Sequence, residues 1–175
     1  MKKFFKFIGS LFLDQLVGII SGSMLVLCVA SVFQNSKWGY FLAFIFSFGF
    51  YAYVTYNSGF KAGFKDIHRI RKEPSYRGHW FIGFLAGIVT IIPLIALLII
   101  YIITDNGVYA LYYMIANMYW TWPLAGIFKS HQILIMALTY IPMVFIPWIG
   151  YIAGYNNFIL LDKVVLLYKR YIDKK

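Results

Sequence analysis

Five cations crowd one polar stretch near the middle of the chain, between two long apolar runs. Dense groups of lysine and arginine bind phosphate through charge-assisted hydrogen bonds, so this stretch is a candidate contact for anionic lipid headgroups or a nucleotide-like ligand. No glycine-rich phosphate loop of recognised spacing accompanies it, and a solvated topology signal is the competing interpretation. The candidate phosphate-contacting residues are Lys65, Arg69, Arg71, Lys72 and Arg77.

Acids and histidines are too few to indicate a catalytic or metal site. The chain has six acids and three histidines, with no HExxH or GxSxG motif. Asp66 and His68 beside Arg69 are the only combination that suggests an enzyme, and we expect no catalytic residues, metal or cofactor. Asp14 is the one acid inside an apolar run, near its start, where water and the helix dipole both favour a carboxylate.

A five-residue pattern, Gly-aromatic-x-Ala-Gly, occurs three times, and a looser Gly-x-x-x-Gly pair occurs once. Glycines four residues apart lie on one face of a helix, where the backbone of a second helix can approach closely. The pattern therefore predicts helix packing and names no ligand. The predicted packing residues are Gly18, Gly22, Gly59, Gly63, Gly83, Gly87, Gly150 and Gly154.

Three prolines interrupt apolar runs: Pro93, Pro142 and Pro147. Each removes one helical hydrogen bond, so each is a possible hinge. Broken helices line the substrate sites of transporters, whereas prolines in membrane helices are also common as simple kinks, and we favour kinks.

Composition sets the class of protein. Of the residues, 62% are hydrophobic and 13% are charged, against about 25% charged in soluble domains. Several apolar runs approach or exceed the roughly 20 residues that cross a bilayer as a helix. The chain is therefore predicted to be an all-α polytopic membrane protein with one membrane domain, residues 1–175. Its net charge of +10 is spread over the ends of apolar runs, so nucleic-acid binding is not expected.

Four runs are predicted to cross the membrane as two hairpins: 11–33, 38–60, 79–104 and 132–155. Residues 109–128 are apolar but rich in tyrosine and tryptophan, which concentrate at membrane interfaces. We expect an outer interfacial or re-entrant helix there. Residues 158–175 are amphipathic and are predicted to form a helix on the cytoplasmic membrane surface.

Charge bias orients these spans. The N-terminus carries three, the central stretch six and the tail five of the sixteen lysines and arginines. The positive-inside rule places these three segments in the cytoplasm, with the chain in the cell membrane. A fifth span at 109–128 would translocate the cationic tail, so five spans remain the weaker alternative.

The leading functional hypothesis is a non-catalytic accessory, assembly or lipid-contacting subunit with a cationic cytoplasmic face. The expected partners are anionic membrane lipids, with a second copy of the chain or another membrane protein as further possibilities. The alternative is a small transporter or channel-like component that uses the proline-broken helices. The third hypothesis is a membrane enzyme with a site at the cytoplasmic face.

Overall fold

The computed structural model describes residues 2–33, 36–72, 79–109 and 137–156, together with residues 112, 117 and 123. Regular structure in this part of the chain is entirely helical. The four long helices are α1 (Lys2–Phe33), α2 (Lys37–Lys72), α3 (Ile82–Thr104) and α4 (Tyr140–Tyr155).

Helices α1, α2 and α3 are each long and apolar enough to cross a membrane, whereas α4 is a shorter apolar helix of 16 residues. The prediction of an all-helical membrane protein is confirmed at this level. The predicted span 132–155 is described only from residue 137 onward. Most of the predicted interfacial segment 109–128, and the predicted surface helix 158–175, lie outside the described residues.

Two helices continue beyond the predicted membrane spans. Helix α1 already begins at Lys2, so the N-terminal segment with Lys2, Lys3 and Lys6 is continuous with the first apolar run. Helix α2 does not end with its apolar part but continues to Lys72 over 36 residues. At 1.5 Å per residue it is about 54 Å long, well beyond the ~30 Å of a hydrocarbon core.

Helix α2 buries one residue in every four along its length. A step of four residues turns about 40° more than a full helical turn, so this buried line winds around α2 and meets different neighbours along its course. Most of its members are small, which allows close packing of i±4 ridges. The buried residues are Gly39, Ala43, Ser47, Tyr51, Thr55, Gly59 and Gly63.

The last part of this line packs against α4 through reciprocal glycine contacts. A Cβ atom on Gly59 would collide with the carbonyl oxygen of Pro147, and one on Gly63 with that of Tyr151. In the other direction, a Cβ on Gly150 or on Gly154 would collide with a backbone carbonyl oxygen of α2. Because the obstructing atoms belong to backbone, no side-chain rotation can make room at these four positions.

Helix α3 packs on α4 through the remaining full glycine pattern. A Cβ on Gly83 would lie 2.6 Å from the Cβ of Tyr151, and one on Gly87 would lie 2.9 Å from the Cα of Val144. Helix α4 therefore lies between α2 and α3, with its Gly150–Gly154 segment at the centre. Gly18 and Gly22 are also buried, on the face of α1 that is turned towards the other helices.

We expect Gly59→Ala and Gly154→Ala to destabilise the fold, since each added methyl meets backbone. Overpacking of this kind costs about 1–3 kcal/mol. Gly49 is the matched control, because nothing lies within 4 Å of a Cβ built there. Gly49→Ala should be neutral or stabilising by up to about 1 kcal/mol through helix propensity. Unfolding in mixed micelles measures all three, and equal stability of Gly59→Ala and Gly49→Ala would contradict the close contact.

Candidate functional site

Four helix segments meet at one end of the bundle. The ring of Phe7 lies 6.1 Å from that of Tyr151, and both belong to a buried cluster with Ala86. Ala62 and Tyr155 pack against the same cluster. The start of α1, the second half of α2, the start of α3 and the end of α4 are therefore neighbours. We call this the cationic end, because it carries the exposed side chains of Lys3, Lys6, Lys61, Lys65, Arg71 and Lys72; His68 is exposed among them.

Four of these side chains form a stripe on α2. Spacings of four, three and four residues place them within about 60° of arc on one helix face. All four are exposed, and we call them the cationic stripe after its three lysines; the members are Lys61, Lys65, His68 and Lys72. The spacing is readable in the sequence, but it defines a surface only because the helix continues unbroken to Lys72.

The structure places four of the five predicted phosphate-contacting residues in the last eight residues of α2. Lys65 and Lys72 belong to the stripe, Arg71 is exposed on its flank, and Arg69 is half-buried. Arg77 lies outside the described residues. Cations in the last turn also complement the negative end of the helix macrodipole, so their position stabilises the helix terminus as well as offering charge.

A buried tyrosine holds the opposite side of α2. Tyr151 is completely buried, and its hydroxyl donates a hydrogen bond of 2.6 Å to Oδ2 of Asp66. Asp66 lies about 130° around the helix from the centre of the stripe. This bond fixes the rotation of α2 about its axis, so the stripe points away from α4. The aromatic position of the glycine pattern was the only sequence signal for this residue, and the pairing with Asp66 was not predicted.

Asp14 lies on α1 against α2. The Ser58 hydroxyl forms a hydrogen bond with its carboxylate, and the Lys61 ammonium interacts with it electrostatically. Its Oδ2 atom is buried and has no hydrogen-bond partner. A neighbouring cation and hydroxyl account for the acid in an apolar run, so Asp14 connects the first two helices close to the cationic end.

His68 and His79 each pack against a phenylalanine ring. His68 packs edge-on against Phe64, with ring centres 4.3 Å apart, and His79 stacks on Phe81 at 5.1 Å. Among the described residues, no three His, Cys, Asp or Glu side chains come close enough to hold a metal ion.

No protein-family model, no curated protein and no solved structure matches the chain. Inference about function therefore depends on the geometry of this chain alone.

The three prolines occupy three different settings. Pro93 is exposed on α3. Pro142 lies in the first turn of α4, where a backbone N–H has no helical acceptor in any case. Pro147 is inside α4 and fully buried against α2. The Tyr140 hydroxyl donates a 3.2 Å hydrogen bond to the Leu94 carbonyl, which connects the start of α4 to the middle of α3.

Tyr151→Phe removes the hydroxyl that donates to Asp66, so we expect a loss of about 1.5–3 kcal/mol in unfolding free energy, as for hydrogen bonds to charged groups. Tyr53→Phe is the control, since Tyr53 is 70% exposed. The double variant Tyr151→Phe/Asp66→Ala should lose less than the sum of the single changes. Strict additivity in this cycle would show that the two side chains do not interact.

Proposed function

We propose that the protein is a small integral membrane protein of the cell membrane, with four membrane-crossing helices in two hairpins and both termini in the cytoplasm. The charge bias of the sequence supports this orientation. The contacts that gather the start of α1, the end of α2 and the start of α3 support it as well, because those segments would otherwise lie on opposite sides. In this arrangement α4 is the described part of the fourth span.

Its proposed role is that of a non-catalytic accessory or assembly subunit whose cationic end contacts anionic lipid headgroups. The observation that carries this proposal is the exposed cationic stripe, which continues an unbroken apolar helix at the same end of the bundle as Lys3 and Lys6. Trp80 is 58% exposed beside the start of α3. Exposed tryptophan is typical of the membrane interface, so the headgroup level is expected near this residue.

The membrane level on α2 follows from its neighbours. Gly63 packs against the last turn of α4, and Gly83, on the first turn of α3, packs against Tyr151 of the same segment. The apolar parts of α3 and α4 therefore end close to the level of Gly63. Lys65 lies one half-turn beyond that level, within the ~5–7 Å of one headgroup layer. Lys6 precedes the buried Phe7 on α1, at a comparable level.

The four-span orientation is tested by cysteine labelling in a Cys28→Ser background. Lys129→Cys should react with an impermeant reagent added outside intact cells, and Lys174→Cys should react only after the cells are opened. The opposite result, with position 174 accessible from outside and position 129 protected, would establish five spans and reverse the proposed exposure of the tail.

Lipid contact is tested by titrating phosphatidylglycerol onto purified protein and counting bound lipid by native mass spectrometry. Each cation near an anionic surface contributes about 1 kcal/mol, so Lys6→Gln/Lys65→Gln should weaken the affinity by roughly 30-fold. Lys37→Gln/Lys129→Gln removes the same charge from elsewhere and should leave it unchanged. Equal affinity in both double variants would exclude lipid contact at the cationic end.

A further inference from the structure

Among the described residues, the outer part of the cationic stripe extends past the helix ends that pack beside it on the α3–α4 side. Helix α4 ends at Tyr155 and α3 begins at Ile82, both close to the level of Gly63. Helix α2 continues for nine more residues to Lys72, which is about 13 Å. One headgroup layer is only ~5–7 Å thick, so the backbone of Arg71 and Lys72 lies beyond the lipid headgroups under the proposed membrane placement.

This projecting segment is held in a fixed orientation. The Tyr151 hydroxyl binds Asp66 at 2.6 Å, so one face of the segment is anchored to α4. The stripe lies on a different face, and its outer members His68 and Lys72 are exposed together with Arg71. Two exposed cations on an anchored helix end outside the headgroup layer, with His68 one turn before Lys72, offer a docking surface for a polyanion.

The chain itself offers no acidic segment to cover this surface. Only six acids stand against sixteen lysines and arginines, and the tail from residue 158 onward carries five cations and two acids. A second copy with net charge +10 would be repelled for the same reason. The matching occupant is therefore an external acidic group, and its distance from the headgroup layer favours a polypeptide over a lipid.

We propose that the outer end of α2, with His68 and Lys72 of the cationic stripe and Arg71 on its flank, docks an acidic segment of a cytoplasmic partner protein. This inference rests on the proposed membrane placement and assigns a second ligand to the cationic end. Lipid is held near Lys6 and Lys65, at the level of the headgroups. The outer cations steer and orient the partner through charge complementarity, an interaction that weakens as salt rises.

The probe is a synthetic peptide of about six glutamates, which in extended form is longer than the ~6 Å of helix from His68 to Lys72 and so covers the outer end of the stripe. Its binding is measured at low salt to protein in nanodiscs of phosphatidylcholine, with a glutamine peptide as the uncharged control. Arg71→Gln/Lys72→Gln should weaken glutamate-peptide binding at least about fivefold and leave phosphatidylglycerol affinity unchanged. Lys6→Gln/Lys65→Gln removes the same charge and should show the reverse pattern.

The outcomes separate the two proposals. If Arg71→Gln/Lys72→Gln lowers phosphatidylglycerol affinity as strongly as the inner pair does, and the wild-type protein does not bind the glutamate peptide, the outer cations are lipid contacts and the docking proposal is overturned. If neither pair alters phosphatidylglycerol affinity but the outer pair still weakens peptide binding, lipid contact fails while docking stands. Equal peptide affinity in all variants would overturn docking at this surface.

Discussion

The fold depends on the close approach of two backbones where α2 crosses α4. Glycines on both helices leave four positions of this crossing without a side chain, so carbonyl oxygens of each helix occupy the space that Cβ atoms would fill on the other. Helix α3 reaches the same segment of α4 through Gly83. In a membrane, apolar side chains gain little by leaving lipid, so packing contacts of this kind supply most of the association energy. The start of α3 and the polar end of α2 both take their positions relative to this crossing.

The Tyr151–Asp66 hydrogen bond is a consequence of that approach. Tyr151 lies between the two glycines of the α4 pattern. Because these glycines let the two backbones approach closely, the Tyr151 ring lies at the surface of α2. Its hydroxyl then meets a carboxylate one turn beyond the last buried glycine of α2. The bond joins residues 85 positions apart. It ties a packing contact inside the bundle to the orientation of the polar helix end outside it.

The membrane class and the glycine positions could be read from the sequence, because apolar length and Gly-x-x-x-Gly spacing are local patterns with one physical meaning. The sequence did not reveal which helices the glycines join, since several pairings satisfy the same pattern. The glycine pattern also did not predict most of the buried residues of α2, because Ala43, Ser47 and Thr55 stand there in place of glycine. Short hydroxyl side chains fold back onto their own helix, as Ser47 does onto the Ala43 carbonyl, and so pack as small residues.

The extension of α2 to Lys72 shows why a polar segment need not be a loop. Residues 61–72 lack a proline or a glycine pair that would end a helix, and the cations in the last turn favour the helix terminus. In a flexible loop, mutual repulsion would move the like-charged side chains apart, and their spacing would vary. A helix spaces them at fixed intervals, and one anchored acid on the opposite side sets the direction in which they point. Asp66 lowers the net charge of the segment by one. Because it is bonded to Tyr151, it also holds the remaining cations in a defined orientation.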